Sequence, residues 1–169
     1  MIIDIARPIS YNKDMILIGI GKIEERERIF KQSLTVYRDV KKMPCTLVTL
    51  SHDEVGKPYI KGAEDIKISL SHSGEYLVIA LSSEEVGIDI QENRDINYEK
   101  ICARYGINAI DVNDFYTKFT LAEANAKLSG KGLAPSLHHS NEIVGKTYRF
   151  IKGYTLSVVG NGEIIFVTL

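Results

Sequence analysis

The 169-residue sequence predicts an α+β fold, on three observations. Three consecutive apolar runs, over residues 66–73, 76–81 and 86–91, read as an antiparallel meander. Helix-favouring segments stand on either side of them, at 24–42 and 114–128. A short pattern also faintly recurs: Ile18-Gly19-Ile20-Gly21-Lys22-Ile23-Glu24 resembles Val86-Gly87-Ile88-Asp89-Ile90-Gln91-Glu92 in apolar pattern. Two related α+β halves packed together would explain that echo, and so would chance.

Residues 15–20 form an apolar run that reads as a strand, and the charged segment 24–42 follows as a helix. Residues 45–50 alternate enough to be a strand, with Gly56-Lys57-Pro58-Tyr59 as a turn in which Pro58 restricts Lys57 to extended geometry. In 66–73, Ile66, Ile68, Leu70 and His72 take one face, and Lys67, Ser69, Ser71 and Ser73 the other. Gly74 permits the turn into 76–81, and 86–91 is the third strand. Residues 97–105 and 114–128 read as helices, the second with Asp114 as N-cap and Leu121, Ala124 and Leu128 at core spacing. Gly130-Lys131-Gly132 ends it. Strands are expected at 148–151, 154–159 and 163–168, the last two joined by a hairpin at Gly160-Asn161-Gly162.

This length accommodates one compact unit with a single good-sized core. A formal net charge of −1 argues against coating nucleic acid or a membrane by bulk charge, so any anion site must be local. Cys45 and Cys102 lack paired spacing, which suggests neither a disulfide framework nor a zinc knuckle. The first residues carry no basic region followed by a long apolar run, and no segment approaches transmembrane length. A cytoplasmic protein is the expectation.

The residues that could carry chemistry begin with Asp89. Ile88 and Ile90 point into a core while Asp89 and Gln91 share the opposite face, so the acid loses hydration and needs a partner. A hard cation would serve, and so would a nearby lysine or arginine. Glu123 and Lys127 lie four apart on one helix face, a spacing that also suits a surface pair worth about 0.2–0.5 kcal/mol. If that helix covers the meander, Asp89, Gln91 and Glu123 converge as two carboxylates and an amide oxygen. Such a set suits Mg²⁺, and Lys127 would supply a cation for phosphates. Ser71-His72-Ser73-Gly74 offers hydroxyls, an imidazole and amides for a phosphate. A nucleophilic Ser-His pair is disfavoured, because Ser71 and His72 point to opposite faces of the strand. His138-His139 reads as a loop pair.

Gly56-Lys57-Pro58, Ser71-His72-Ser73, Gly87-Ile88-Asp89 and Glu123-Ala124-Asn125-Ala126-Lys127 resemble, in order and spacing, the motifs of the 4'-phosphopantetheinyl transferases of the surfactin-synthetase-activating type. The likeness runs from about Gly56 through Gly130-Lys131-Gly132-Leu133, and Gly153-Tyr154-Thr155-Leu156 is similar to the family's closing strand. It implies two similar α+β halves in a pseudo-dimeric fold, here about 1–80 and 81–169, with the site between them. The implied activity moves phosphopantetheine from coenzyme A to a serine of an acyl or peptidyl carrier protein, with Mg²⁺ as cofactor and neither nucleic acid nor membrane as partner. By motif, Asp89 and Glu123 would bind Mg²⁺ with Gln91 beside them. Lys127 would stabilise pyrophosphate charge, Ser71 and His72 would lie at the coenzyme A phosphate, and Lys57 and Pro58 would line the adenine end. Asp89, Glu123 and Lys127 form the implied catalytic set, with the base for the carrier serine left open.

Three departures are visible. Phe119-Thr120-Leu121-Ala122-Glu123 replaces the family's Trp-Ser/Thr-x-Lys-Glu, so one cation is missing. Gln91 stands where many members have Glu, and phosphate-binding basic residues in the first half are unassigned, with Lys31, Arg38, Lys41 and Lys42 as candidates. A non-catalytic coenzyme A or carrier-protein binding module is therefore the rival reading. A structural domain whose acids are merely paired is the third.

Overall fold

Strand β1 (Met15–Lys22) is apolar at nearly every position because both of its faces are covered. Met15 and Leu17 join one core, while Ile16, Ile18 and Ile20 join another. This computed structural model describes residues 14–130 and 132–168; the reading of the first residues, and Lys131, lie outside them. Helix α1 (Arg26–Lys41) follows a single 3₁₀ turn and lays Ile29, Phe30, Leu34 and Tyr37 on the first face of β1. Glu27 in its first turn and Arg38 and Lys41 in its last complement the helix dipole.

The chain continues through β2 (Thr49–His52), β3 (Pro58–Lys61), β4 (Lys67–Ser73), β5 (Tyr76–Ser82) and β6 (Gly87–Glu92). Helices α2 (Tyr98–Tyr105), α3 (Val112–Ser129) and α4 (Leu133–His138) precede β7 (Lys146–Tyr148), β8 (Tyr154–Val159) and β9 (Glu163–Thr168). The fold is α+β. One sheet has the order β4-β5-β1-β9, a second β6-β8-β7, and β2 and β3 form a hairpin of their own. The two larger sheets face each other across Ile16, Ile18, Ile20, Val78, Ile88, Ile90, Leu156 and Val158. Helix α1 covers the outer face of the first sheet and α3 packs on β6 and β8 of the second. No helix of the described residues is long and apolar enough to cross a membrane.

Several local expectations are corrected. Strand β6 does not complete a meander with β4 and β5: it pairs with β8, in register from Gly87↔Val159 to Glu92↔Tyr154. Gly160-Asn161-Gly162 does not form a hairpin either, because β9 runs parallel to β1 in the other sheet. Gly160 and Gly162 have φ of 148° and 136°, which lets the chain leave one sheet and enter the next. The strand expected at 45–50 is displaced to Thr49–His52, and that expected at 148–151 to Lys146–Tyr148. Helix α3 begins earlier than expected, since Asp111 rather than Asp114 caps it, accepting from the Asp114 N–H at 2.7 Å.

Although β4 and β6 belong to different sheets, their edges meet through side chains. The hydroxyls of Ser69, Ser71 and Ser73 accept from the N–H groups of Ile88, Ile90 and Glu92 at 3.2, 3.2 and 2.9 Å. Strand pairing would leave these edge amides open; hydroxyls satisfy them instead.

Candidate active site

Gly87 lets α3 sit directly on β6. A Cβ there would stand 1.8 Å from the Ala124 carbonyl oxygen, so only glycine permits this approach. Alternation then places Asp89 and Gln91 on the same face as Gly87, under the helix. Thr120 pins α3 from its buried side, with its hydroxyl 2.7 Å from that of Ser157 on β8.

Asp89 is 2% exposed. Its Oδ1 accepts from the Ser71 hydroxyl at 2.7 Å and from Lys127 Nζ at 2.7 Å, and its Oδ2 from Gln91 Nε2 at 3.2 Å. Lys127 also donates to the Ile88 carbonyl at 3.1 Å. The partner that burial of Asp89 demands is thus a lysine from the helix above. Glu123, one turn earlier on α3, is half-buried. Burial pushes its carboxyl above the ordinary value of 4.5, the charge of Asp89 pushes the same way, and Lys127 opposes them.

That direction has a sign for stability. An acid whose folded pKa is raised stabilises the fold fully below its unfolded value, and the contribution is lost as pH rises through the folded one. Glu123→Gln is therefore expected to raise the urea midpoint of metal-free protein at pH 7, with the gain shrinking as pH falls towards 4.5. A gain that did not vary with pH would contradict this account.

Beside this cluster lies a cavity of about 430 Å³ whose walls include Lys57, Pro58, Ser71, His72 and Lys127. His72 and Ser71 point to opposite faces of β4 as expected: Ser71 is buried on Asp89, and His72 is exposed at the cavity. Lys57 forms an ion pair with Glu85 at 2.8 Å. Two further cationic or titratable side chains, Arg26 and His52, also line the cavity. Arg26 opens α1, the helix whose later basic residues were the candidates. Those are placed elsewhere: Lys31 pairs with Glu27 at 2.6 Å, and Arg38 is buried, donating to the Thr46 carbonyl at 3.1 Å. Lys41 and Lys42 stand at the opposite end of α1 from Arg26. The sequence carried no signal for His52, which reaches the cavity from β2.

Gln91 and Ala122 also have definite surroundings. No group of three His, Cys, Asp or Glu side chains gathers for a metal among the described residues, and Gln91 donates its amide to Asp89 Oδ2 at 3.2 Å. Ala122 is fully buried in the cluster formed by Phe115, Tyr116 and Leu137. A lysine at that position would have to displace this packing.

No protein-family profile matches the chain. Individual proteins do. It is 32% identical over 98 residues to the 4'-phosphopantetheinyl transferase Sfp of Bacillus subtilis strain 168, covering 52% of this chain and 43% of that protein. It is 30% identical over 138 residues to 4'-phosphopantetheinyl transferase gsp of Aneurinibacillus migulanus, covering 74% and 57%. The chain is a divergent relative of the 4'-phosphopantetheinyl transferases. A third such transferase, psf-1 of Bacillus pumilus, is 29% identical over 107 residues, covering 56% and 45%. The chain spans about half the length of these transferases.

Proposed function

We propose that the chain transfers the 4'-phosphopantetheine group of coenzyme A to a serine hydroxyl of an acyl or peptidyl carrier protein in a Mg²⁺-dependent reaction. The observation that carries this reading is the meeting of Asp89, Glu123 and Lys127 at the side of a cavity walled by Lys57, Pro58 and His72. The residues fit a hard cation. Burial first, and the charge of Asp89 second, make the ionised Glu123 carboxylate costly, a cost that a cation beside it would offset, and the donors are two carboxylates and an amide oxygen. Asp89, Glu123 and Gln91 would hold the ion, which would neutralise developing charge on the pyrophosphate.

The chain's own side chains supply the remainder. Lys127, held to Asp89 and reaching the cavity wall, offers its ammonium to the pyrophosphate oxygens as the phosphorus–oxygen bond to the adenosine bisphosphate breaks. His72, Arg26 and His52 line the cavity as partners for the coenzyme A phosphates, and Lys57 and Pro58 border its adenine end. Glu123 is the candidate base for the carrier serine, directly or through a water, because Oδ1 of Asp89 already accepts two hydrogen bonds. We place the two similar halves, about 1–80 and 81–169, on either side of this site, with β9 of the second half added to the sheet of the first, and the protein in the cytoplasm. The repeated strand pattern supports the halves: Gly19 lies under Ser33 and Ile29 of α1 as Gly87 lies under α3.

Incubation with apo carrier protein, coenzyme A and Mg²⁺ is expected to add one phosphopantetheine mass to the carrier, and Asp89→Ala to abolish the adduct. Undiminished transfer by Asp89→Ala would sink the site assignment. Coenzyme A binding without an adduct on any of several carriers would instead make the chain a binding module.

A further inference from the structure

The three β4 hydroxyls that bond β6 are not equivalent. Ser69 and Ser73 each accept from one β6 amide. Ser71 accepts from the Ile90 N–H at 3.2 Å and also donates to Asp89 Oδ1 at 2.7 Å. A hydroxyl has one proton and two lone pairs, so engaging a lone pair with a fixed backbone amide restricts where the proton points. We propose that Ser71 is a positioning residue for Asp89, holding Oδ1 so that Oδ2 is the oxygen left to meet a divalent cation. The inference rests on the metal-dependent reading above.

Two features support the assignment. Lys127 also holds Oδ1, but its side chain is 32% exposed and ends in a freely rotating ammonium, so it supplies charge with little orientation. The Ser71 hydroxyl is short, buried and tied to the backbone of the strand that bears Asp89. Oδ2 accepts from Gln91 Nε2 at 3.2 Å, so Gln91 stands beside the oxygen that Ser71 does not hold, and its amide would turn over to offer its own oxygen to a cation there. Outer partners that orient a ligating carboxylate typically account for about 10–100-fold in metal affinity.

The test is a Mn²⁺ titration of the full chain followed by electron paramagnetic resonance, without coenzyme A or carrier. Ser71→Ala is expected to weaken Mn²⁺ binding by about tenfold or more, and Ser71→Thr, which keeps the hydroxyl, to restore most of it. Ser73→Ala removes an equivalent hydroxyl-to-amide bond without touching Asp89. It is expected to lower the melting temperature, though less than Ser71→Ala, while leaving Mn²⁺ affinity unchanged, which separates positioning from general loosening. Binding by Ser71→Ala within twofold of the unaltered protein overturns the proposal, as does equal weakening in Ser73→Ala. An unaltered chain that binds no Mn²⁺ at millimolar concentration overturns the metal reading itself, and the positioning role with it.

Discussion

Gly87→Ala is expected to lose both stability and transfer, although it adds only one methyl group. The new Cβ would stand 1.8 Å from the Ala124 carbonyl oxygen, 2.7 Å from its carbon and 3.0 Å from the Leu128 nitrogen. These are helix backbone atoms, so no side-chain rotation relieves the clash and α3 must move. The helix is held on both sides, because Thr120 on the same face is bonded to Ser157 of β8 and Ala122 on the far side is packed with Leu137. Overpacking of this kind costs about 1–3 kcal/mol, and a backbone collision belongs at the upper end. Helix displacement also draws Lys127 and Glu123 away from Asp89, and misplacement by about 1 Å is enough for a roughly hundredfold loss of rate. Urea denaturation and the carrier mass assay check the two effects together. An unchanged midpoint with a near-normal rate would show that α3 does not bear on β6 at this glycine.

The second large effect concerns Lys127. Removing one partner of a buried ion pair leaves an uncompensated charge, at a cost of about 3–5 kcal/mol. The partial exposure of Lys127 puts Lys127→Met near the low end, about 3 kcal/mol. Asp89→Asn in that background removes the orphaned charge and is expected to recover most of the lost stability. Transfer stays lost in both variants, since the reaction needs the charges and the fold only needs them balanced. Urea midpoints of both single variants and the double variant give the coupling. A double variant no more stable than Lys127→Met would show that the pair does not carry this energy.

The site was legible where the chemistry is local. Alternation put Asp89 and Gln91 on one face, i,i+4 spacing put Glu123 and Lys127 on another, and the two faces do meet. Strand positions were legible for the same reason, but strand partners were not. The period of β6 is the same whether it pairs with β5 or with β8, and only the choice between sheets decides. A glycine-rich link between two apolar runs signals a reversal, yet Gly160 and Gly162 carry the chain across to the first sheet. Asp111 and Asp114 are both competent N-caps, and one turn of helix separates the two choices. The roles of Ser69, Ser71 and Ser73 were hidden differently. The pattern showed that they share a face, but the amides that donate to them lie on a strand 19 residues away. Arg26 and His52 enter the cavity from α1 and β2, elements whose placement no short motif specifies.

The join between β4 and β6 has a consequence for how this fold can vary. A ladder of backbone bonds is the same whatever side chains the strands carry, so substitution hardly edits it. Here each rung is a serine hydroxyl, and a single codon change can delete a rung, lengthen it or give it charge. The border along which the acid at position 89 is set is therefore open to mutation one rung at a time, while the strand pairing within each sheet stays untouched.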